Sequence, residues 1–170
     1  GDLTPELNAA IATHDIVAGL GVIPVGIPET WGEDQSGYTA WFRDQVENEL
    51  KGTLPPIVKA SADGPDYEAI LALKPDVILA PYSGIKEVEY KRLSEIAPTV
   101  AYTDRAWSMT SWSELTRTVA SAIGRTDAGE TAIAKTTAAI SEAKQQYPNL
   151  AGSSFIYTTS GGDAFTELAL

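Results

Sequence analysis

The stretch DGPDYEAILALKPDVILA, residues 63–80, combines a turn, a short helix, a helix stop and a strand. Asp66 stands where it can cap the helix start, and Pro75 ends the helix. The apolar face of this helix consists of Ala69, Ile70 and Leu73. The apolar run at residues 77–79 is typical of a strand that is covered on both faces. The stretch therefore predicts one half of a parallel α/β sheet.

Short apolar runs alternate with amphipathic segments on both sides of this unit. The pattern predicts strands at residues 22–26, 57–60, 77–79 and 99–102. It predicts helices at residues 13–20, 38–50 and 86–97, and a further helix whose apolar face contains Leu115, Val119, Ala122 and Ile123. Strands that alternate with helices predict an α/β fold with a parallel sheet and right-handed crossovers.

Two local features are the burial of the aromatic residues and the secondary structure of residues 1–12. Trp41 and Phe42 fall at helical spacings and are expected in the core, as is Trp112, three residues before Leu115. The segment 1–12 stays open, because Thr4-Pro5-Glu6 resembles a helix start whereas residues 9–12 would suit the end of a strand.

The last third of the chain predicts a change of architecture. Residues 127–147 contain no proline and only one glycine, which predicts a single helix of about 30 Å. A strand-like run at residues 155–158 follows it. We therefore expect three parts: a first lobe at residues 1–124, a linker helix at 125–149, and the opening of a second lobe at 150–170.

Composition excludes several classes of function. The net charge of −11, from 23 acidic and 12 basic residues, disfavours nucleic-acid binding. The absence of cysteine and the single histidine exclude thiolate chemistry and a multi-histidine metal site. No apolar segment reaches the ~20 residues that cross a bilayer, and the first residues lack the pattern of a signal peptide.

Candidate ligand-binding residues lie in the loops that follow the predicted strands, because open parallel sheets bind ligands at the carboxyl ends of their strands. Trp31 stands in a loop of glycine and acids, where it forms a ligand wall or a lid. Tyr82 and Ser83 come directly after a strand. Arg105 and Trp107 combine a cation with a flat apolar surface, which suits an anionic, aromatic or chelated ligand; a surface ion pair is the alternative for Arg105.

His14 is a weaker candidate, because a histidine at the start of a helix either contacts a ligand or packs against the fold. Enzyme chemistry is disfavoured. The sequence has no nucleophile elbow and no phosphate-binding glycine loop, and His14 would have to serve as every general base. A fragment of an α/β hydrolase or transferase, and a sensor or adhesion domain, remain alternatives.

Five segments of the chain resemble the substrate-binding proteins of ABC importers for ferric siderophores, cobalamin and haem. They are GLGVIPVG at 19–26, DGPDYEAILALKPDVILA at 63–80, YSGIKEVEYKRLSEIAPTVAY at 82–102, the tryptophan loop at 107–112 and the long helix at 127–147. The residues of these segments are most similar to the iron-siderophore branch of actinobacterial type, with cobalamin- and haem-binding members as the alternatives.

The resemblance implies a non-enzymatic, extracytoplasmic receptor, lipid-anchored on the outer face of the cytoplasmic membrane, with no cofactor of its own. Its ligand would be a ferric siderophore, with the iron held by the siderophore and not by protein side chains. The resemblance places ligand contacts at Trp31, Tyr82, Arg105 and Trp107, and more weakly at Ser83 and His14. It also implies that Glu87, or alternatively Glu89, docks on the ABC permease. The family's first strand looks shortened or missing before Thr13.

Overall fold

Short parallel strands and helices alternate along much of the chain. The computed structural model describes residues 7–8, 13–28, 36–61, 64–106, 111–154, 158–161 and 164–167. Trp31 and Trp107, both predicted to contact a ligand, lie outside these ranges.

The strands confirm the predicted parallel α/β architecture. They are β1 Leu7–Asn8, β2 Ile27–Pro28, β3 Ile57–Val58, β4 Ala60–Ser61, β5 Gly64–Pro65, β6 Ile78–Ala80, β7 Thr99–Ala101, β8 Thr158–Gly161 and β9 Ala164–Glu167. In the sheet, β6 pairs in parallel with β1 on one side and with β7 on the other. Strands β2 and β3 pair in parallel as a separate two-stranded sheet, and β1 lies beside β2.

Six α-helices in the described residues connect or follow these strands. They are α1 Thr13–Gly19, α2 Ala40–Asp44, α3 Tyr67–Ala72, α4 Glu87–Ile96, α5 Trp112–Ala122 and α6 Thr126–Gln146, with a π-helical turn at Gln45–Glu49 and a 3-10 turn at Pro148–Leu150. The predicted cap at Asp66 is confirmed, since Asp66 Oδ1 accepts a hydrogen bond from the Ala69 N–H at 3.0 Å. Ser111 caps α5 in the same way, accepting from the Glu114 N–H at 3.1 Å.

Strand β6 separates two apolar clusters. Ile78 packs with Ile70 of α3 and Leu93 of α4 on one face. Leu79 packs on the other face with residues of α1 and α5, including Val17 and Val119. All three β6 residues are at most 2% exposed, as expected for a strand covered by helices on both faces.

A third cluster joins α1 and α2 to β2, and it corrects one core assignment. Phe42 is 1% exposed and packs with Ala18, Ile27 and Val46, as predicted. Trp41, which was also expected in the core, is 64% exposed. Adjacent helical residues point about 100° apart, so Phe42 and Trp41 do not share one face. The same expectation is wrong for Trp112, which is 42% exposed in the first turn of α5.

The strand predicted at residues 22–26 lies further along the chain. Pro24 has no N–H to donate, and regular pairing begins where the Ile27 N–H donates to Pro56 O at 3.1 Å. A first strand is present before Thr13, since Leu7–Asn8 pairs with β6; the strand is therefore not missing, and the expectation that it is shortened stays a prediction. The predicted turn at the start of the stretch 63–80 contains strand β5, which pairs antiparallel with β4.

The predicted long helix is confirmed as α6. It packs on α5 through a close approach of Gly129, where an added Cβ would lie 2.6 Å from Ala120 Cβ. The exposed Arg117 side chain donates to Glu130 at 2.7 and 3.2 Å, and this hydrogen bonding lowers the pKa of the Glu130 carboxyl.

Contacts divide the chain into two units, Gly1–Ile133 and Ala134–Leu170, and the boundary falls inside α6. The second unit contains the end of α6, the 3-10 turn and the antiparallel hairpin β8–β9. It also has an apolar groove of ≈ 490 Å³, lined by Ile140, Ala143, Lys144, Tyr147, Leu150 and Ala151.

We expect Gly129→Ala to lower the free energy of unfolding by about 1–3 kcal/mol, because the new methyl group would overlap Ala120. The matched control is Gly19→Ala, where an added Cβ meets no atom of the described residues within 4 Å. Alanine is favoured over glycine in a helix, so this control should lose no stability. Urea unfolding followed by circular dichroism measures both, and equal stability of the two variants would contradict the prediction.

Candidate ligand-binding site

The rim, meaning the carboxyl ends of the parallel strands and the loops that follow them, holds three of the six predicted ligand-binding residues. Tyr82 and Ser83 follow β6, and Arg105 follows β7. Because β6 and β7 are parallel neighbours, the loops after them leave the same edge of the sheet. The structure thus places Tyr82, Ser83 and Arg105 on the rim.

These three side chains differ in what they offer to a ligand. Ser83 is 3% exposed, and its hydroxyl donates to Ala80 O at 2.8 Å, which turns the chain at the end of β6. Tyr82 is half-buried and packs against the cluster that contains Leu79. Arg105 is exposed. Tyr82 and Arg105 therefore present surface at the rim, whereas Ser83 is engaged by the backbone.

His14 is buried below the rim. Its side chain is 1% exposed, and its ring meets Phe42 edge to face at 4.9 Å. Its Nε2 lies 3.6 Å from Asp15 Oδ1, which in turn accepts a hydrogen bond from Thr39 Oγ1 at 3.4 Å. These contacts join the starts of α1 and α2, so His14 serves packing in this structure, and its contact with a ligand stays a prediction.

A pocket of ≈ 320 Å³ lies at the start of α4, next to the end of β7. It is lined by Ile85, Lys86, Glu87, Tyr90, Ala101 and Tyr102. Tyr102 Oη donates to Ile85 O at 2.9 Å and so links the loop after β6 to the loop after β7. An ammonium group, a carboxylate and two phenol rings give this pocket both charge and flat apolar surface.

Lys86, Tyr90 and Tyr102 were not among the residues selected from the sequence. Tyr102 and Lys86 carry a positional signal, because one follows a strand directly and the other precedes a helix that starts at the rim. Trp41 and Trp112 carry the same signal. Each lies in the first turn of a helix that follows a strand, and each is exposed, so both become rim candidates.

The two acids predicted for docking have separate environments in the first turn of α4. Glu89 Oε2 accepts a hydrogen bond from the Lys86 N–H at 2.6 Å and so caps the helix. The Glu87 side chain is 81% exposed and forms an ion pair with the exposed Lys91, with Oε1 and Nζ 2.6 Å apart. Exposed ion pairs of this kind contribute little to stability and are easily exchanged, so the Glu87 carboxylate is more available to a partner than that of Glu89.

Two features are absent from the described residues. No group of three or more histidine, cysteine, aspartate or glutamate side chains is arranged to hold a metal ion. Within the same ranges, no helix has the length and apolarity that crossing a membrane requires.

Comparison with known proteins gives a family match over most of the chain. The model of the periplasmic binding protein family matches residues 12–166. A curated relative is the Fe(3+)-citrate-binding protein YfmC of Bacillus subtilis, 26% identical over 151 residues, which are 89% of this chain and 44% of that protein.

Solved structures also match most of the chain. PiaA of Streptococcus pneumoniae in complex with ferrichrome is 31% identical with a TM-score of 0.79, over 93% of this chain and 53% of that one. SirA of Staphylococcus aureus complexed with staphyloferrin B is 27% identical with a TM-score of 0.68, over 93% and 51% of the two chains. The chain thus spans about half the length of the proteins it matches.

We expect Ser83→Ala to lower the free energy of unfolding by about 1 kcal/mol, because the buried hydrogen bond to Ala80 O is lost. Ser94→Ala, on the exposed face of α4, is the matched control and should be neutral. Chemical unfolding of both variants tests the structural role assigned to Ser83, which fails if the two curves coincide.

Proposed function

The chain belongs to the periplasmic binding protein family, and we propose that it forms the first ligand-binding half of an extracytoplasmic receptor that captures a ferric siderophore for an ABC importer. The observation that carries this proposal is the likeness to PiaA, whose structure contains ferrichrome, at 31% identity over 93% of this chain. The relatives named for ferric citrate and staphyloferrin B add support from two other iron chelates.

The rim fits this proposal chemically. Ferric chelates with citrate-type or catecholate ligands are anionic, and Arg105 and Lys86 are exposed cations at neighbouring strand ends. Tyr82, Tyr90 and Tyr102 add flat rings that pack on the organic shell of a chelate. In the sequence Trp107 follows β7 and Trp31 follows β2, and we propose both as further walls.

We propose Glu87 as the carboxylate that docks on the permease. Its exposure and its place at the start of a helix favour an interaction with cations of a membrane subunit. Glu89, the alternative from the sequence, already caps α4. A single exposed acid next to the ligand rim would bring the loaded receptor to the membrane with the cleft near the permease.

We also propose the division predicted from the sequence. Residues 1–124 form the ligand-binding lobe, 125–149 the linker helix and 150–170 the opening of a second lobe. In the whole protein, a lipid anchor holds this receptor on the outer face of the cytoplasmic membrane. A stiff helix between lobes favours small hinge motions, so the ligand would meet a largely preformed site.

We expect saturable quenching of tryptophan fluorescence when ferrichrome or ferric citrate is added to the protein, because the tryptophans concentrate in or beside rim loops. The iron-free chelators, cobalamin and haem are compared in the same titration. Absence of saturable quenching by every ferric chelate in a panel would contradict the proposed function.

In that titration, Arg105→Ala should raise the Kd of ferric citrate, an anionic chelate, about tenfold, since it removes a hydrogen bond between charged groups. Arg125→Ala is the matched control, because Arg125 is exposed at the turn between α5 and α6, away from the strand ends. An equal change in both variants would indicate only a general effect of charge and would remove Arg105 from the site.

Glu87→Gln is expected to reduce iron uptake in cells that depend on the whole protein, while ligand affinity stays unchanged. The reason is that docking loses a charge pair whereas the rim is intact. Glu95→Gln, exposed in the last turn of the same helix, is the control. Uptake of radioactive iron supplied as ferrichrome measures the effect, and wild-type uptake by Glu87→Gln would rule out this docking role.

A further inference from the structure

Glu89 contacts two different elements with its two carboxylate oxygens. Oε2 accepts the Lys86 N–H at 2.6 Å. The first N–H groups of a helix have no partner within the helix, so this bond stabilises the start of α4. The side chain is half-buried, which holds the carboxylate in place.

The other oxygen lies against the rim hairpin, the antiparallel strands β4 and β5 that follow β3. A Cβ atom added to Gly64 of β5 would lie 2.8 Å from Glu89 Oε1 and 3.7 Å from Tyr67 Oη. Gly64 has a φ of +111°, a conformation that residues other than glycine rarely adopt. The backbone conformation therefore favours glycine at this position, and a Cβ here would displace the Glu89 carboxylate.

A second contact supports the same junction. The Arg92 guanidinium, three residues after Glu89 on α4, lies over the Tyr67 ring of α3 with its carbon 4.1 Å from the ring centroid. Cation–π contacts of this kind are attractive even at exposed sites. Tyr67 thus contacts α4 through its ring, while its hydroxyl lies near the glycine of the rim hairpin.

We propose that Glu89 is a positioning residue that ties the rim hairpin to the first turn of α4. Glu87 stands in that same turn, two residues earlier. If the proposed function is correct, this contact has a consequence. The rim hairpin and the docking carboxylate Glu87 move as one body. Loading of the rim then orders the surface that the permease recognises.

The tie is tested on the ligand-free chain by hydrogen–deuterium exchange with mass spectrometry. Glu89→Ala should speed exchange about tenfold both in peptides covering residues 86–90 and in peptides covering residues 60–67. Gly64→Ala, made at the other end of the contact, should speed exchange in both segments as well. Effects confined to the mutated segment in either variant would overturn the proposal.

Two controls separate coupling from general loosening. Glu95→Ala removes an exposed acid from the last turn of α4 and should change neither segment. Gly21→Ala introduces a comparable backbone strain, with φ of +83°, where an added Cβ meets no described atom within 4 Å. Faster exchange in residues 60–67 and 86–90 of the Gly21→Ala protein would show global destabilisation and overturn the assignment to Glu89.

A second experiment, with ligand added, tests whether the rim hairpin and the start of α4 respond together. Ferrichrome, the probe, should slow exchange in residues 60–67 and 86–90 together in the wild-type chain, and in residues 60–67 alone in Glu89→Ala. Protection of one segment only in the wild type would overturn the coupling. If ferrichrome protects neither segment, binding of ferrichrome at the rim hairpin is ruled out, while exchange in the ligand-free chain still decides whether Glu89 couples the two elements.

Discussion

Burial of β6 on both faces is the constraint on which the sheet depends. Its side chains alternate, so Ile78 enters the cluster with α3 and α4 while Leu79 enters the cluster with α1 and α5. A one-residue shift in register would exchange these faces and misplace both clusters. Three residues are enough to specify the strand, because helices cover both sides and β1 and β7 pair on both edges.

The same constraint positions the rim. Since β6 and β7 run in parallel with Ile78 opposite Thr99, their following loops begin side by side. The bonds from Ser83 Oγ to Ala80 O and from Tyr102 Oη to Ile85 O then hold those loops to each other and to the sheet. A rim fixed by such side-chain-to-backbone hydrogen bonds loses little conformational entropy when a ligand binds.

The sequence predicted the features that depend on local chemistry and missed those that depend on partners. Asp66 and Pro75 mark the ends of α3 through their own side chains, so that helix was predictable. The place of β2 depends on which N–H finds a distant acceptor, here Ile27 to Pro56 O, and apolar content alone does not reveal it. Trp41 illustrates another limit, because it and Phe42 are equally apolar, and only the orientation of α2 on α1 decides which is buried.

The two acids of α4 show how neighbouring residues of the same type acquire different roles. Glu89 occupies the third helical position, from which a side chain reaches back to the N–H of the residue that precedes the helix. Glu87 occupies the first position and points away from that N–H, towards solvent. Both are favoured by the helix dipole, so composition does not separate them. Because Glu89 supplies the cap, Glu87 is left exposed, and a carboxylate held at a rigid, capped helix start is well suited to recognition by a cationic partner.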